Sequence, residues 1–331
     1  MKGSQLSKGM PAALVCLSVS SAHAQLIFSD NLDSGANWVV NGTSDTTATF
    51  GFDYSTLGIP ASPNGGGTTT GLRMTANETS GAIHEISAAV AGLDISGQYV
   101  VEFDFWINAN GPFPAGGAGS TEFAGGGVGF RGNDVGLDGA SLIVTGEGGA
   151  SRDWRLYKNK GEQFIASAQY NPLLTTNNNT DTLLATTFPG QSAPAFQQAN
   201  FAQQTGTLAN GTAGFAWRTM RITVDSNAIG SGINQNPGIA RFEVDGFFIG
   251  RIDNSNGGTV VDMTGSVGLI YADLFTSVSN NPTLSFGVFD NFRVFRSGTA
   301  APEPGTFALL ALGGVCAGIG WRRQRKNKPS R

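Results

Sequence analysis

The chain has 331 residues, and only 13% of them are charged, about half the share that is usual in soluble globular domains. Its 48 glycines disfavour helices, while its 22 phenylalanines supply enough apolar volume for a core and exclude a disordered chain. Residues 25–301 include 23 acidic and 12 basic residues, so this body has a net charge of −11 and excludes nucleic acid as a partner. The acidity fits either a solvated extracellular surface or cation binding.

The first 24 residues have the order of a signal peptide. Lys2 and Lys8 precede an apolar stretch over residues 10–19, and Ala22 and Ala24 are the small residues that a signal peptidase reads. Cleavage is therefore predicted before Gln25.

Few catalytic side chains remain in the exported body. Both cysteines lie in the terminal segments, so the body has no disulfide and no zinc site built on cysteine. His84 is its one histidine, and no Gly-x-Ser-x-Gly segment occurs, which argues against a serine hydrolase. We expect His84 to be a surface or cross-strand residue on a strand at 83–90.

Apolar alternation predicts strands throughout the body. In residues 98–108, QYVVEFDFWIN, every second residue is apolar on one face. Residues 240–252 predict a hairpin that turns at Asp245-Gly246. More than ten such strands predict an all-β fold, a two-sheet β-sandwich or jelly roll, over residues 25–298.

Two long loops are predicted, at residues 108–127 and 171–211, and loops of this length are usually functional or variable insertions. Gly127, Gly129 and Gly132 match the spacing Gly-x-Gly-x-x-Gly. A dinucleotide site would need a helix to begin there, and the glycine-rich sequence that follows favours a strand and a turn instead.

The C-terminus predicts a single transmembrane helix. Residues 306–321, TFALLALGGVCAGIGW, carry no charge and would span ~24 Å as a helix, slightly less than a ~30 Å hydrocarbon core. A basic tail at 322–331 follows, and its Arg322, Arg323, Arg325 and Lys326 should stay in the cytoplasm.

Pro302, Glu303 and Pro304, together with this short apolar helix and the arginine cluster, resemble the PEP-CTERM sorting signal, here residues 299–331. The resemblance implies that an exosortase recognises the segment in a bacterium that makes exopolysaccharide. The protein would be exported, anchored in the inner membrane by its C-terminal helix, and then passed to the cell envelope, the matrix of a biofilm or the medium. Two prolines also keep the segment extended, as a protease cleft requires.

The second half of the body, chiefly residues 217–225, 241–246, 267–271 and 289–295, resembles the concanavalin A-like lectin and glucanase jelly roll. That fold implies that the closing strand pairs near the opening strand at 26–30. Laminarinase-type members carry Glu-x-Asp-x-x-Glu, and this chain has Glu102 and Asp104 but Ile107 in place of the third acid. A retaining glycosidase needs two carboxyls, one of them the proton donor, so a solvated glycan face of Glu102, Asp104 and Trp106 is favoured over catalysis.

Calcium is the one metal that the composition fits. It prefers carboxylate and carbonyl oxygens, and an ion that joins the first and last strands would be held by Asp30, Asp33, Asp290 and Asn291.

The sequence therefore predicts an exported, non-catalytic component of the cell surface or extracellular matrix, structural or glycan-binding, with exosortase and exopolysaccharide as partners. The alternatives are a glucanase-like polysaccharide-degrading enzyme and a structural adhesin without a small ligand.

Overall fold

Fifteen strands build the part of the chain that the computed structural model describes, residues 24–130 and 136–296. Contacts group Gln25–Ser297 as one compact unit. The strands are β1 Gln25–Asp30, β2 Trp38–Gly42, β3 Thr46–Asp53, β4 Thr70–Ala76, β5 His84–Val90, β6 Gln98–Asn108, β7 Phe123–Phe130, β8 Ala140–Thr145, β9 Trp154–Lys158, β10 Gly161–Glu162, β11 Arg218–Ile229, β12 Pro237–Val244, β13 Phe247–Asp253, β14 Ser266–Asp273 and β15 Phe286–Arg296.

Helices are few and short. Among the described residues the two α-helices are α1 Thr182–Thr187 and α2 Ala195–Asn200, and single 3₁₀ turns lie at Gly35–Asn37, Tyr54–Leu57, Gly136–Asp138, Ile165–Ser167 and Pro282–Leu284. None of the helices in residues 24–130 and 136–296 has the length and apolar character needed to cross a membrane. The signal peptide predicted at 1–24 lies, but for Ala24, outside the described residues, and the transmembrane helix predicted at 306–321 lies wholly outside them.

The strands form two antiparallel sheets, which confirms the predicted all-β sandwich. The larger sheet has the order β13-β12-β11-β6-β15-β4-β3, and β1 pairs with the end of β15. The smaller sheet has the order β10-β9-β8-β7-β14-β5-β2. The pairing of Gln25 with Arg296 and of Asp30 with Phe292 confirms that the opening strand lies beside the closing one.

Strand β6 shows how alternation builds the core. Its residues Tyr99, Val101, Phe103, Phe105 and Ile107 are buried between the sheets, as the period of two requires. Its other residues therefore point to the outer face of the larger sheet.

The predicted hairpin at 240–252 is confirmed. Asp245 and Gly246 connect β12 to β13, and both have positive φ angles, 51° and 78°. A two-residue turn with two positive φ values is the type I′ geometry that Asp-Gly favours.

The loop predicted at 108–127 ends earlier than expected, because β7 begins at Phe123. The glycines of β7 allow the two sheets to pack closely, since a Cβ on Gly126 would lie 2.6 Å from Cζ of Phe103. Glycine has a low strand propensity, so the sequence pattern concealed a buried strand. Gly127 and Gly129 both lie on this strand, whereas Gly132 falls outside the described residues.

Candidate functional site

The outer face of the larger sheet carries most of the polar residues that the sequence singled out. On β6 this face presents Val100, Glu102, Asp104 and Trp106. The residues paired with these four positions on the neighbouring strands lie beside them, so each position belongs to a row that crosses the sheet. The face has an open half, defined here as Glu102, Arg221, Thr223, Arg241, Glu243 and Arg293, and a capped half around Asp104 and Trp106.

The central row of the open half alternates in charge across four strands. Glu243 of β12 pairs with Arg221 of β11, Arg221 with Glu102 of β6, and Glu102 with Arg293 of β15. Arg221 forms an ion pair with Glu102, and Nη2 of Arg293 lies 3.6 Å from Oε2 of Glu102. The side chain of Arg221 remains 38% exposed.

The next row places Arg251, Arg241 and Thr223 side by side. Nη2 of Arg241 lies 2.8 Å from Oε1 of Glu243, and its guanidinium carbon lies 3.7 Å from the ring centroid of Phe248. A cavity of about 340 Å³ adjoins this row, lined by Gln98, Thr223, Val224, Asp225, Ala228, Ile239 and Arg241. The open half thus offers exposed charged groups, a hydroxyl and a cavity on a rigid sheet.

The capped half corrects the predicted glycan face. Asp104 is 0% and Trp106 is 3% exposed, so neither lines a solvated surface. Trp106 belongs to an apolar cluster with Tyr54, Phe113 and Phe215, contributed by segments distant in sequence. Trp217 packs on Trp106 at a centroid distance of 6.0 Å. Of the three predicted residues, Glu102 alone lies in the open half.

Asp104 anchors the segments that cover the capped half. Its Oδ2 accepts hydrogen bonds from Oγ of Ser62 and the N–H of Asn64, both at 3.2 Å, and from Nδ2 of Asn291 at 3.3 Å. Its Oδ1 accepts from Nδ2 of Asn64 at 2.9 Å and from Oγ1 of Thr219 at 2.7 Å. Five donors therefore satisfy a fully buried carboxylate.

Asp290 lies opposite Asp104 in the pairing of β15 with β6. Burial, with the charge of Asp104, raises the pKa of Asp290 to about 6, although hydrogen bonds from Tyr54 and Ser62 lower it. The Tyr54 hydroxyl donates to Oδ2 of Asp290 at 3.0 Å, and burial raises the pKa of Tyr54 as well. The pair of carboxyls anchors residues 54–65 to the sheet, and both residues are fully buried.

The four calcium candidates do not form a ligand set. Asp30 accepts hydrogen bonds from the N–H of Leu32 at 2.7 Å and from Nδ2 of Asn37 at 3.0 Å. Asp290 and Asn291 instead contact the Asp104 cluster, and Asp33 is exposed. Within residues 24–130 and 136–296, no three His, Cys, Asp or Glu side chains are grouped to hold a metal. The predicted joining of the first and last strands by these residues is therefore wrong.

Ile107 faces the core and is 1% exposed. A third acid at this position would therefore lie between the sheets, away from Glu102. The accessible carboxylates of the open half, Glu102 and Glu243, are both engaged by arginines.

His84 is 3% exposed and pairs with Asp273 of β14, so of the two expectations the cross-strand one is confirmed and the surface one is not. Its Nδ1 lies 3.2 Å from Oγ1 of Thr43, and its Nε2 lies 4.0 Å from Oδ2 of Asp45. Strand alternation alone could not show that residues 43–45, between β2 and β3, would lie against it.

Sequence reasoning missed the arginines of the open half. Arg221, Arg241 and Arg293 were each on predicted strands, and their alternation with buried apolar neighbours was the signal that places them on one face. The three arginines lie in adjacent rows because of the strand order, which the sequence alone does not show.

Residues 297–331 lie outside the described residues, so a comparison with protein families is what identifies them. Residues 300–326 match the PEP-CTERM protein-sorting motif. The chain carries a PEP-CTERM sorting signal. The PEP-CTERM match contains Pro302, Glu303, Pro304 and the arginine cluster, so the predicted resemblance is confirmed.

Solved structures with lectin-like jelly rolls are similar to the PEP-CTERM chain. The carbohydrate recognition domain of Emp47p is 10% identical, with a TM-score of 0.37, and the match covers 84% of this chain and 97% of that one. A protein of unknown function with a galectin-like fold from Bacillus subtilis is 11% identical, with a TM-score of 0.41 and coverage of 83% and 97%. An endo-1,3-β-glucanase from Streptomyces sioyaensis is 12% identical, with a TM-score of 0.40 and coverage of 89% and 100%. A search of curated proteins found no match.

Proposed function

We propose that this chain is an exported protein, delivered through its PEP-CTERM signal to the cell envelope or extracellular matrix. Residues 1–24 act as a signal peptide that is cleaved after Ala24, and residues 306–321 anchor the chain until an exosortase acts at Pro302-Glu303-Pro304. The PEP-CTERM match supports this role, and the charge-free apolar stretch followed by arginines gives its physical basis.

Its body is a non-catalytic module that binds polysaccharide on the open half of the outer face. The observation that carries this proposal is the partly exposed row of Glu243, Arg221, Glu102 and Arg293 across four strands, whose side chains are 18% to 38% exposed. Adjacent strands are ~4.8 Å apart, so the row extends ~14 Å, room for more than one sugar ring. Arginine and carboxylate groups can hydrogen-bond to sugar hydroxyls, and exopolysaccharide is the matching ligand class.

A glucanase-like enzyme is the second candidate. It would use Glu102 with another carboxyl within about 5–10 Å on the sugar's far side. Asp104, two residues along the strand, is covered and fully hydrogen-bonded. A structural adhesin without a small ligand is the third candidate, and it makes no use of the open half.

Binding to a polysaccharide panel tests the module. The purified full chain would be titrated with neutral β-glucans and acidic polysaccharides, with affinity electrophoresis as the measurement. We expect one class to bind, and Arg221→Ala to weaken binding about tenfold or more, because one central charged contact is typically worth more than 1 kcal/mol. Arg152→Ala is the matched control, since its side chain is 37% exposed and is paired with Glu162.

Equal loss of affinity in both variants would place the ligand elsewhere. Failure of every polysaccharide to bind would favour the adhesin. Reducing ends released from β-glucan, and absent from the Glu102→Gln variant, would establish the enzyme instead.

A further inference from the structure

A separate group of carboxyls lies at one end of the smaller sheet. Strand β14 ends at Asp273, and its neighbour β7 begins at Phe123, directly after Glu122. Phe123 pairs with Ala272, so Glu122 and Asp273 occupy adjacent positions just beyond the paired region. Strand β8, on the far side of β7, ends two residues before Glu147. Three neighbouring strands therefore bring three carboxyls to one end of the sandwich.

Two of these carboxyls are almost fully buried, and the hydroxyls of Tyr271 and Thr121 are the donors beside them. Glu122 is 2% and Glu147 is 1% exposed, and none of their carboxylate oxygens accepts a hydrogen bond of normal geometry. The Oδ1 atoms of Asn77 and Asn110 are also buried and lack donors. Buried oxygens with no donor destabilise a fold unless a positive group accompanies them.

The hydrogen bonds of the amide nitrogens explain why the amide oxygens of Asn77 and Asn110 have no donor. Nδ2 of Asn77 donates to the carboxylate of Asp273 and to the carbonyl oxygen of Ser277, the latter at 2.6 Å. Nδ2 of Asn110 donates to Oδ1 of Asn280. Each amide is thereby oriented, and its oxygen is left free to bind something else.

Burial and mutual repulsion both disfavour the charged forms of these carboxyls. Burial raises the pKa of Glu122 well above its usual value, against the nearby hydroxyl of Tyr271, and the charges of Asp273 and Glu147 raise it further. Burial raises the pKa of Glu147 to about 8, although the Thr121 hydroxyl lowers it.

Two basic side chains face this group. His84 interacts with Asp273, and Arg73 interacts with Tyr271 and Glu122. The guanidinium of Arg73 lies over the ring of Phe286, 4.8 Å from its centroid, so it is already engaged in packing. Neither group gives a donor to the Glu122 oxygens.

We propose that this end of the sandwich binds a divalent cation of the calcium type, with Glu122, Asp273 and Oδ1 of Asn77 as ligands and with Glu147 and Asn110 beside them. Carboxylate and amide oxygens are the ligands that calcium prefers. The third ligand is a neutral amide oxygen, because the described part of the chain groups no three acidic or histidine side chains around one point.

The site has an entry path and a structural consequence. A cavity of about 410 Å³ reaches Asp273 from the surface, lined by Gly119, Thr121, Gly149, Asp273, Leu274, Phe275, Thr276 and Ser277. Asn77 directly follows β4 of the larger sheet, whereas Glu122 and Asp273 belong to the smaller one. The bound ion therefore joins the two sheets at an end where no disulfide can.

Calorimetric titration and thermal unfolding of the full chain test the site. Protein stripped with EDTA would be titrated with CaCl₂ at neutral pH. At a Ca²⁺ concentration about 100 times its dissociation constant, we expect the unfolding midpoint to rise by roughly 5 °C. Glu122→Gln should abolish this rise, because it removes one ligand charge while keeping the side-chain size. Asp94→Asn is the control, since Asp94 is exposed and lies on another segment.

The titration of the unmodified chain is decisive even if a variant fails to fold. Saturable Ca²⁺ binding that Asp94→Asn retains and Glu122→Gln loses supports the site. The absence of binding heat and of any midpoint change after EDTA treatment would overturn it, as would a calcium response that Glu122→Gln keeps.

Discussion

Replacing Phe103 by alanine is expected to lower the free energy of unfolding by about 3–5 kcal/mol, the usual cost of truncating a buried aromatic residue. Phe103 is 0% exposed and lies at the centre of the core. Its ring stacks on Phe292 at 5.9 Å between centroids, and it contacts Phe289 at 6.1 Å. The ring also covers Gly126 of the opposite sheet, which has no side chain to fill the cavity left behind.

Urea unfolding followed by tryptophan fluorescence measures this effect. Phe164→Ala is the control, because Phe164 is 53% exposed and its loss should cost less than about 0.5 kcal/mol. If Phe103→Ala destabilised the chain no more than Phe164→Ala does, the assignment of β6 and β7 to facing sheets would be wrong.

Replacing Asp104 by alanine is expected to cost a similar amount, about 3–5 kcal/mol, for an electrostatic reason. The substitution would leave five donors from Ser62, Asn64, Thr219 and Asn291 without their acceptor, and those of Ser62 and Asn291 are buried. Segment 54–65 would lose its main attachment to the sheet, so it should open as well.

Asp104→Asn separates these two effects. It keeps one acceptor oxygen but places an amide group against the amides of Asn64 or Asn291, so about half of the destabilisation should remain. Limited proteolysis would show cleavage within residues 54–65 of Asp104→Ala before any cleavage of the strands. Wild-type stability in Asp104→Ala would contradict a role for this carboxylate in holding the cover.

Much of the fold could be predicted because alternation is a local signal. The register of residues 98–108 needs only a period of two, and Asp245-Gly246 needs only its own backbone preference. The pairing of β1 with β15 came from a resemblance rather than from the residues, since nothing in residues 25–30 identifies their partner.

The candidate site was predicted less well because a pattern assigns a residue to a face and does not show what covers that face. Glu102, Asp104 and Trp106 share one side of β6, yet residues from 54–65 and around 215 bury the last two. Trp106 is apolar and follows two acids, so the sequence is equally compatible with an exposed aromatic platform.

The calcium prediction failed for a related reason. Asp30 uses its carboxylate in a local turn with Leu32 and in a bond to Asn37, whereas Asp290 turns toward Tyr54. Of the buried carboxyls proposed here, Glu122 lies within the loop predicted at 108–127, and Glu147 follows the short strand β8. Their burial arises from the meeting of three strand ends, which no single segment shows.

The central claim is that this chain leaves the cytoplasm and is processed at both ends. Terminal peptide mapping by mass spectrometry, on protein recovered from the envelope and medium of its native host, tests it most directly. We predict a first residue of Gln25 and a last residue at or near Pro302-Glu303-Pro304, with the peptides of 306–331 missing. Recovery of the protein from the cytosol alone, with Met1 and Arg331 both present, would contradict the account.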